Sequence, residues 1–307
     1  MIPGKSLYRR PVSTANGQTR RGFLAATATV GLLSAAPGKL SSAEAGAIGT
    51  SGKPIRWLAF YGVTAEEAVL ATYDIVVLDP AFQGSIDLVA RGGAWVCGYL
   101  SLGEIRADDP SLMFLDHAAL LPENPDWPGT LRVDIRHPSW RSLVLDRQIP
   151  SFASRGFSGL MFDTLDTPPY LEALDRIRFH GMREAAIELV GAIRTRWPKM
   201  MLIMNRGFAL LPDVVQKIDA VIAESLMTSP DSPTGRYVWV GADQLELQLA
   251  LLKPAKLRNP PLPILSLDYW DPDDTRTIAE IRHRERELGH HPYVATRSLN
   301  QIVREIR

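Results

Sequence analysis

The chain has 307 residues, 46% of them hydrophobic, and 34 lysines and arginines balance 34 aspartates and glutamates. That supplies one sizeable core; the zero charge excludes a strongly basic nucleic-acid binder, and the apolar content excludes a disordered chain. The single cysteine, Cys97, excludes an internal disulfide or a cysteine-based zinc cluster, and no stretch approaches the ~20 apolar residues of a membrane span.

The amino end reads as an address. Thr19-Arg20-Arg21-Gly22-Phe23-Leu24 leads into a mildly apolar run from Phe23 to Ala36, and Ala43-Glu44-Ala45 offers a small-residue cleavage site. A basic start, a short apolar run and a small-residue exit spell a signal peptide over residues 1–45. The paired arginines before Phe-Leu resemble a twin-arginine signal, so export to the periplasm or the medium is expected. The mature domain is then 46–307. Residues 1–45 hold six basic side chains and one acid, so the remainder carries 28 basic against 33 acidic residues, a charge of −5.

Eight short β-rich runs follow in order: Ile55–Gly62, Tyr73–Pro80, Ala94–Glu104, Gly159–Asp166, Met201–Gly207, Ala220–Leu226, Ile264–Trp270 and Pro292–Arg297. Most are nearly continuous apolar runs, as expected of parallel strands buried on both faces. From Gly181 to Arg196, Met182, Ala185, Ala186, Leu189, Val190 and Ile193 recur at helical spacing, and Pro198 lies beyond the end. Shorter helices are expected at Thr64–Ala71 and Thr275–Leu288. Eight strands with crossovers in about 250 residues predict an α/β protein, a (β/α)8 TIM-type barrel, as a single domain. A doubly wound sheet is the alternative, but no Gly-x-Gly-x-x-Gly follows the first strand. Two connections, after Glu104 and after Leu226, read as long loops on the face where such barrels place their chemistry.

Acids gather at the strand ends: Asp79, Glu104, Asp163 with Asp166, Glu224 and Asp268, while Asn205 and Arg206 end the fifth strand. A buried unpaired carboxylate costs several kcal/mol, so such a set needs a reason. Paired carboxylates suit glycoside hydrolysis, or metal-assisted proton abstraction with a lysine or histidine base. Lys53, Lys199, Lys217, Lys253 and Lys256 all lie off the expected strands, and none of the six histidines sits at a strand's carboxyl end. Two carboxylates without a nitrogen base favour glycosidic chemistry with no metal or cofactor. Tyr61, Tyr99, Tyr269 and Trp270 stand near strand ends, and Tyr269-Trp270 is the favoured sugar-stacking pair. A barrel that binds polysaccharide without cutting it is the non-enzymatic alternative.

The segments WLAFYG, VVLDP, GYLSLGE, VDIRHPSWR (Val133–Arg141), GFSGLMFDTLD, NRGF (Asn205–Phe208), IAESL, LDY and PYVATRSL occur in this order. In this the chain resembles the endo-α-1,4-polygalactosaminidase family of glycoside hydrolases from about Trp57 to Leu299. The resemblance implies a (β/α)8 barrel that cuts galactosamine-containing polysaccharide internally. It implies Asp163 as nucleophile and Glu224 as acid/base in a retaining reaction, with Asp166 leaving the choice of nucleophile open. Tyr61, Asp79, Glu104, Asp134, Asp166, Asn205, Asp268 and Tyr269 are the expected substrate contacts. The expected partner is an amino-sugar polysaccharide; no nucleic acid and no stable membrane insertion are expected.

Overall fold

The computed structural model describes residues 53–231 and 234–303; the expected signal peptide lies outside the described residues. Eight parallel strands follow in sequence order around one sheet: β1 (Trp57–Phe60), β2 (Ile75–Leu78), β3 (Trp95–Ser101), β4 (Gly159–Asp163), β5 (Met201–Asn205), β6 (Ala220–Glu224), β7 (Ile264–Tyr269) and β8 (His291–Ala295). β8 returns to β1, where the Trp57 indole N–H donates to the His291 carbonyl at 2.7 Å and the Tyr61 N–H donates to the Leu299 carbonyl at 2.7 Å. The result is the expected (β/α)8 barrel. Every residue of β1, β2, β5, β6 and β7 is buried, which is why these strands read as continuous apolar runs.

The helix Met182–Arg196 buries Met182, Ala186, Leu189, Val190 and Ile193 as its spacing predicts, while Ala185 is half-buried and Ile187 joins the buried face. It starts at Gly181, whose φ of +83° suits a residue without a Cβ. The helix Thr275–Glu287 is capped by Asp274, which accepts the Thr277 N–H at 3.0 Å. The expected helix at Thr64–Ala71 shrinks to one turn, Glu67–Leu70.

The two long connections are structured rather than loops. After β3, the strands Glu104–Arg106, Leu120–Glu123 and Thr130–Val133 form a small antiparallel sheet. After β6, Thr228–Pro230 pairs with Tyr237–Trp239 as a hairpin. These strands are three or four residues long and pair with each other, so no alternation long enough to read marks them in the sequence. The first insert is pinned to the mouth of the barrel. Fully buried Trp140 donates its indole N–H to the Leu102 carbonyl at 3.0 Å, and the Val133 N–H donates to the Gly103 carbonyl at 3.0 Å. Gly103 is required here, because a Cβ at that position would stand 2.3 Å from the Thr164 carbonyl oxygen.

Candidate active site

Three consecutive strands end on polar side chains that meet. Asp163 is the last residue of β4, Asn205 of β5 and Glu224 of β6. The Asn205 amide nitrogen donates to Asp163 Oδ1 at 3.0 Å and to Glu224 Oε2 at 2.7 Å. Only the NH2 can face two carboxylates productively, so the chemistry fixes the orientation of the amide. Each acid has a tyrosine on its other oxygen: Tyr99 donates to Asp163 Oδ2 at 2.8 Å, and Tyr269 donates to Glu224 Oε1 at 2.6 Å. Asn205 and Glu224 are buried, while Asp163 is half-buried.

The backbone turns sharply behind each of these three residues. Thr164, Arg206 and Ser225, which follow Asp163, Asn205 and Glu224, have φ of 61°, 51° and 56°. The Thr164 hydroxyl accepts the Gly103 N–H at 2.8 Å, and the Leu102 N–H donates to the Asp163 carbonyl at 3.0 Å, joining the ends of β3 and β4. Arg206 donates to Asp166 Oδ2 at 3.3 Å and to the Glu224 carbonyl at 3.3 Å. Burial opposes the charge on Arg206, but the carboxylates of Asp166, Glu224 and Asp163 outweigh it and hold the guanidinium above its usual range.

The remaining expected contacts scatter. Asp166 is exposed and stands outside the Asn205 bridge, with Oδ2 on Arg206 and Oδ1 accepting the Gly207 N–H at 3.0 Å. Glu104 is buried and accepts from Asn124 Nδ2 at 2.8 Å and Thr167 Oγ1 at 2.7 Å; burial pushes its carboxyl up, and the nearby Asp163 charge adds to this. Tyr61 lies edge-on to Tyr99 with ring centroids 5.3 Å apart.

Three placements correct the expectation of an acid-lined mouth. Asp79 serves its own turn, accepting the Ala81 N–H at 2.7 Å. Asp134 forms a two-pronged ion pair with Arg136 at 2.8 and 2.7 Å, which outweighs burial and keeps its carboxyl below the usual range. Asp268 is fully buried and accepts the Met227 and Thr228 N–H groups. Side chains alternate along a strand, so with Tyr269 turned to the mouth its neighbour Asp268 turns to the helical layer.

The Tyr269-Trp270 stacking pair is split for the same reason. Tyr269 is buried with its hydroxyl on Glu224. Trp270 instead packs against the hairpin, with ring centroids 6.2 Å from Tyr237 and 5.9 Å from Trp239. Among the described residues no group of three or more His, Cys, Asp or Glu side chains is arranged to hold a metal ion.

Residues 42–307 match glycoside-hydrolase family GH114. The chain is 25% identical over 258 residues to an uncharacterized protein of Deinococcus radiodurans, covering 79% of this chain and 80% of that one. It superposes on the glycoside hydrolase domain of PelA from Pseudomonas aeruginosa with a TM-score of 0.70 and 27% identity, over 81% of this chain and 97% of that one. Ega3 from Aspergillus fumigatus, solved in complex with galactosamine, shares the fold at a TM-score of 0.61 and 15% identity, over 81% of this chain and 94% of that one. The chain belongs to glycoside-hydrolase family GH114 and is a glycosidase built on a (β/α)8 barrel.

Proposed function

We propose that the protein is an exported endo-acting hydrolase that cuts α-1,4-linked galactosamine-containing polysaccharide by a retaining, two-carboxylate mechanism. One observation carries the reading: a single amide nitrogen touches both acids. The oxygens it bonds, 3.0 and 2.7 Å away, stand no more than about 5.7 Å apart, a close approach that suits the ~5–5.5 Å of a retaining pair better than the ~6.5–9.5 Å of an inverting one.

Asp163 is then the nucleophile. Its carboxylate attacks the anomeric carbon as Glu224 gives its proton to the departing glycosidic oxygen, leaving a glycosyl ester on Asp163. Glu224, now ionised, takes a proton from water, which attacks the same carbon and frees the sugar and Asp163. The Tyr269 hydroxyl suits both states of Glu224, donating to the carboxylate or accepting from the acid. Asp166, occupied by Arg206 and Gly207, is the weaker claimant to the nucleophile's role.

A protonated amino sugar suits the charge of −5 over 46–307 and the carboxylates Asp163 and Asp166 at the mouth. The galactosamine bound in Ega3 supports the same class of substrate. Export rests on the twin-arginine stretch, and the family match beginning at residue 42 agrees with a domain starting near 46. No helix of the described residues is long and apolar enough to cross a membrane.

The test is the release of reducing ends from partly de-N-acetylated galactosaminogalactan. Asp163→Asn is expected to abolish turnover on every substrate. Glu224→Gln is expected to abolish it on polymer but to spare the first step on substrates whose leaving group needs no proton. Full activity of either variant on polymer would refute the pair, and binding without any cleavage by the unaltered protein would make it a polysaccharide-binding barrel.

A further inference from the structure

Behind β7, on the side away from the mouth, lies a polar cluster that the hydrolytic reaction does not use. Asp268 and Glu285 are both fully buried, Asp268 on β7 and Glu285 on the helix Thr275–Glu287. Asp268 Oδ1 accepts the Met227 and Thr228 N–H groups, each at 2.8 Å. Glu285 Oε2 lies 2.7 Å from His290 Nδ1. The other oxygen of each acid, Asp268 Oδ2 and Glu285 Oε1, is buried and has no hydrogen bond in good geometry, and the Ser266 hydroxyl acts on Glu285 more weakly than Asp268 does. The two carboxyl groups are hydrogen-bonding neighbours. Two ionised carboxylates side by side in a dry interior repel each other and leave both oxygens unsatisfied. One proton between them satisfies both.

We propose that Asp268 and Glu285 share one proton and act as a positioning clamp for Glu224: Asp268 donates through Oδ2 to Glu285 Oε1 while its Oδ1 holds the chain that leaves β6. The clamp reaches the site in two ways. Met227 and Thr228 lie three and four residues beyond Glu224. Thr228 Oγ1 in turn accepts the Tyr269 N–H at 3.2 Å, and the Tyr269 hydroxyl is the donor to Glu224 Oε1. Asp268 therefore fixes both the strand that carries Glu224 and the tyrosine that touches it.

The surroundings suit a pair that holds one proton and one negative charge. Burial pushes Asp268 well above the usual carboxylate range, with the charge of Glu285 adding to this, and Glu285 is pushed up by burial to about 7. His290 is driven down to about 4, mainly by burial, so a neutral imidazole donates its Nδ1–H to Glu285. Lys256, whose ammonium donates to the Leu288 carbonyl at 3.2 Å, is the cation acting on Glu285 and His290. Val294, in register with Asp268 on β8, and Ile281, one turn before Glu285, carry no charge.

The sign follows from the raised values. The folded state keeps a proton that the unfolded carboxyls lose above pH ~4, so the clamp's contribution to stability declines as pH rises and is gone above about 7. Asp268→Asn tests this directly, because an amide keeps the acceptor for Met227 and Thr228 and offers Glu285 a donor that does not titrate. Melting temperature is measured from pH 5.5 to 8.5 for the unaltered protein, Asp268→Asn and Asp268→Ala, with kcat on polymer at each pH. The clamp requires the fall in melting temperature between about pH 5.5 and 7.5 to shrink to less than half in the Asn variant, leaving it several degrees above the unaltered protein at the alkaline end. It also requires Asp268→Ala to lose about tenfold in kcat, and Asn to recover it to within about threefold.

A pH dependence in Asp268→Asn parallel to that of the unaltered protein, or an Asn variant as damaged as the Ala variant, would overturn the shared proton. A stable Asp268→Ala with full kcat would overturn the positioning role. That role rests on the reading of Glu224 as acid/base, whereas the melting curves use no substrate. Failure to hydrolyse polymer would therefore refute Glu224 and leave the proton pair to be decided by melting alone.

Discussion

The Asn205 amide is the narrowest point in the proposed mechanism, and Asn205→Ala isolates it. The side chain is 5% exposed, so it has almost no surface to offer a substrate and contributes little to ground-state binding. Its removal takes away two charge-assisted hydrogen bonds, at 3.0 and 2.7 Å, each worth at least ~1.5 kcal/mol. It also leaves the Asp163 carboxylate and the proton-donating Glu224 with no shared donor to hold their spacing. The acids then splay apart, which spoils the attack distance. If ~3 kcal/mol reaches the barrier, kcat falls about 10²-fold while KM stays within about threefold. Steady-state release of reducing ends reads both constants, and a melting curve checks that the barrel persists. A kcat within threefold of the unaltered protein, or a loss confined to KM, would refute the bridge as the element that sets the pair.

Three further outcomes are expected. Activity on de-N-acetylated polymer should fall as salt rises while a fully acetylated polymer shows little change, because screening acts on a charged substrate and an acidic mouth; equal salt dependence would sink the electrostatic argument. Gly103→Ala should lower the melting temperature and kcat together, since its Cβ meets the Thr164 carbonyl at 2.3 Å and the backbone beside Asp163 must move; an unchanged melting temperature would show that the crossing is slack. Replacing Arg20 and Arg21 by lysine should leave the precursor in the cytoplasm, and normal secretion of that variant would rule out the twin-arginine route.

The barrel was legible because burial on both faces leaves a plain mark: every residue of β2 and β6 is out of solvent, and IVVL and AVIAE read accordingly. The mouth was harder. Asp163, Asn205 and Glu224 end adjacent strands and do meet, but Asp79 is held in its own turn, Asp134 is paired with Arg136, and Asp268 is buried behind β7. What separates Asp268 is the side of the strand it occupies, and a run that is apolar on both sides erases the alternation that would reveal it. Tyr99 and Tyr269 read as stacking surfaces because a tyrosine's apolar ring is more legible than its hydroxyl. In the structure the hydroxyls reach the acids. Asn124 and Thr167 gave no signal, because their partner Glu104 comes from a distant part of the chain, and Arg206 stood at a strand end without its partner Asp166 being readable.

The left-handed residues behind the three polar strand ends have a consequence for any attempt to make the enzyme hardier. A residue with a Cβ costs roughly 1–2 kcal/mol in that conformation, so Thr164, Arg206 and Ser225 together hold several kcal/mol. Set against a typical net stability of about 5–15 kcal/mol, this is a large reserve in three positions. Thr164 and Arg206 offset part of that cost through hydrogen bonds that glycine would lose, so selection for heat resistance alone should drift toward glycine where no such bond is made. Ser225, whose buried hydroxyl finds no partner, is the first candidate. Glycine would also free the backbone that aims Glu224, so thermal tolerance gained at this corner should come with slower turnover, and durable variants that stay fast should carry their changes on the outer helices instead.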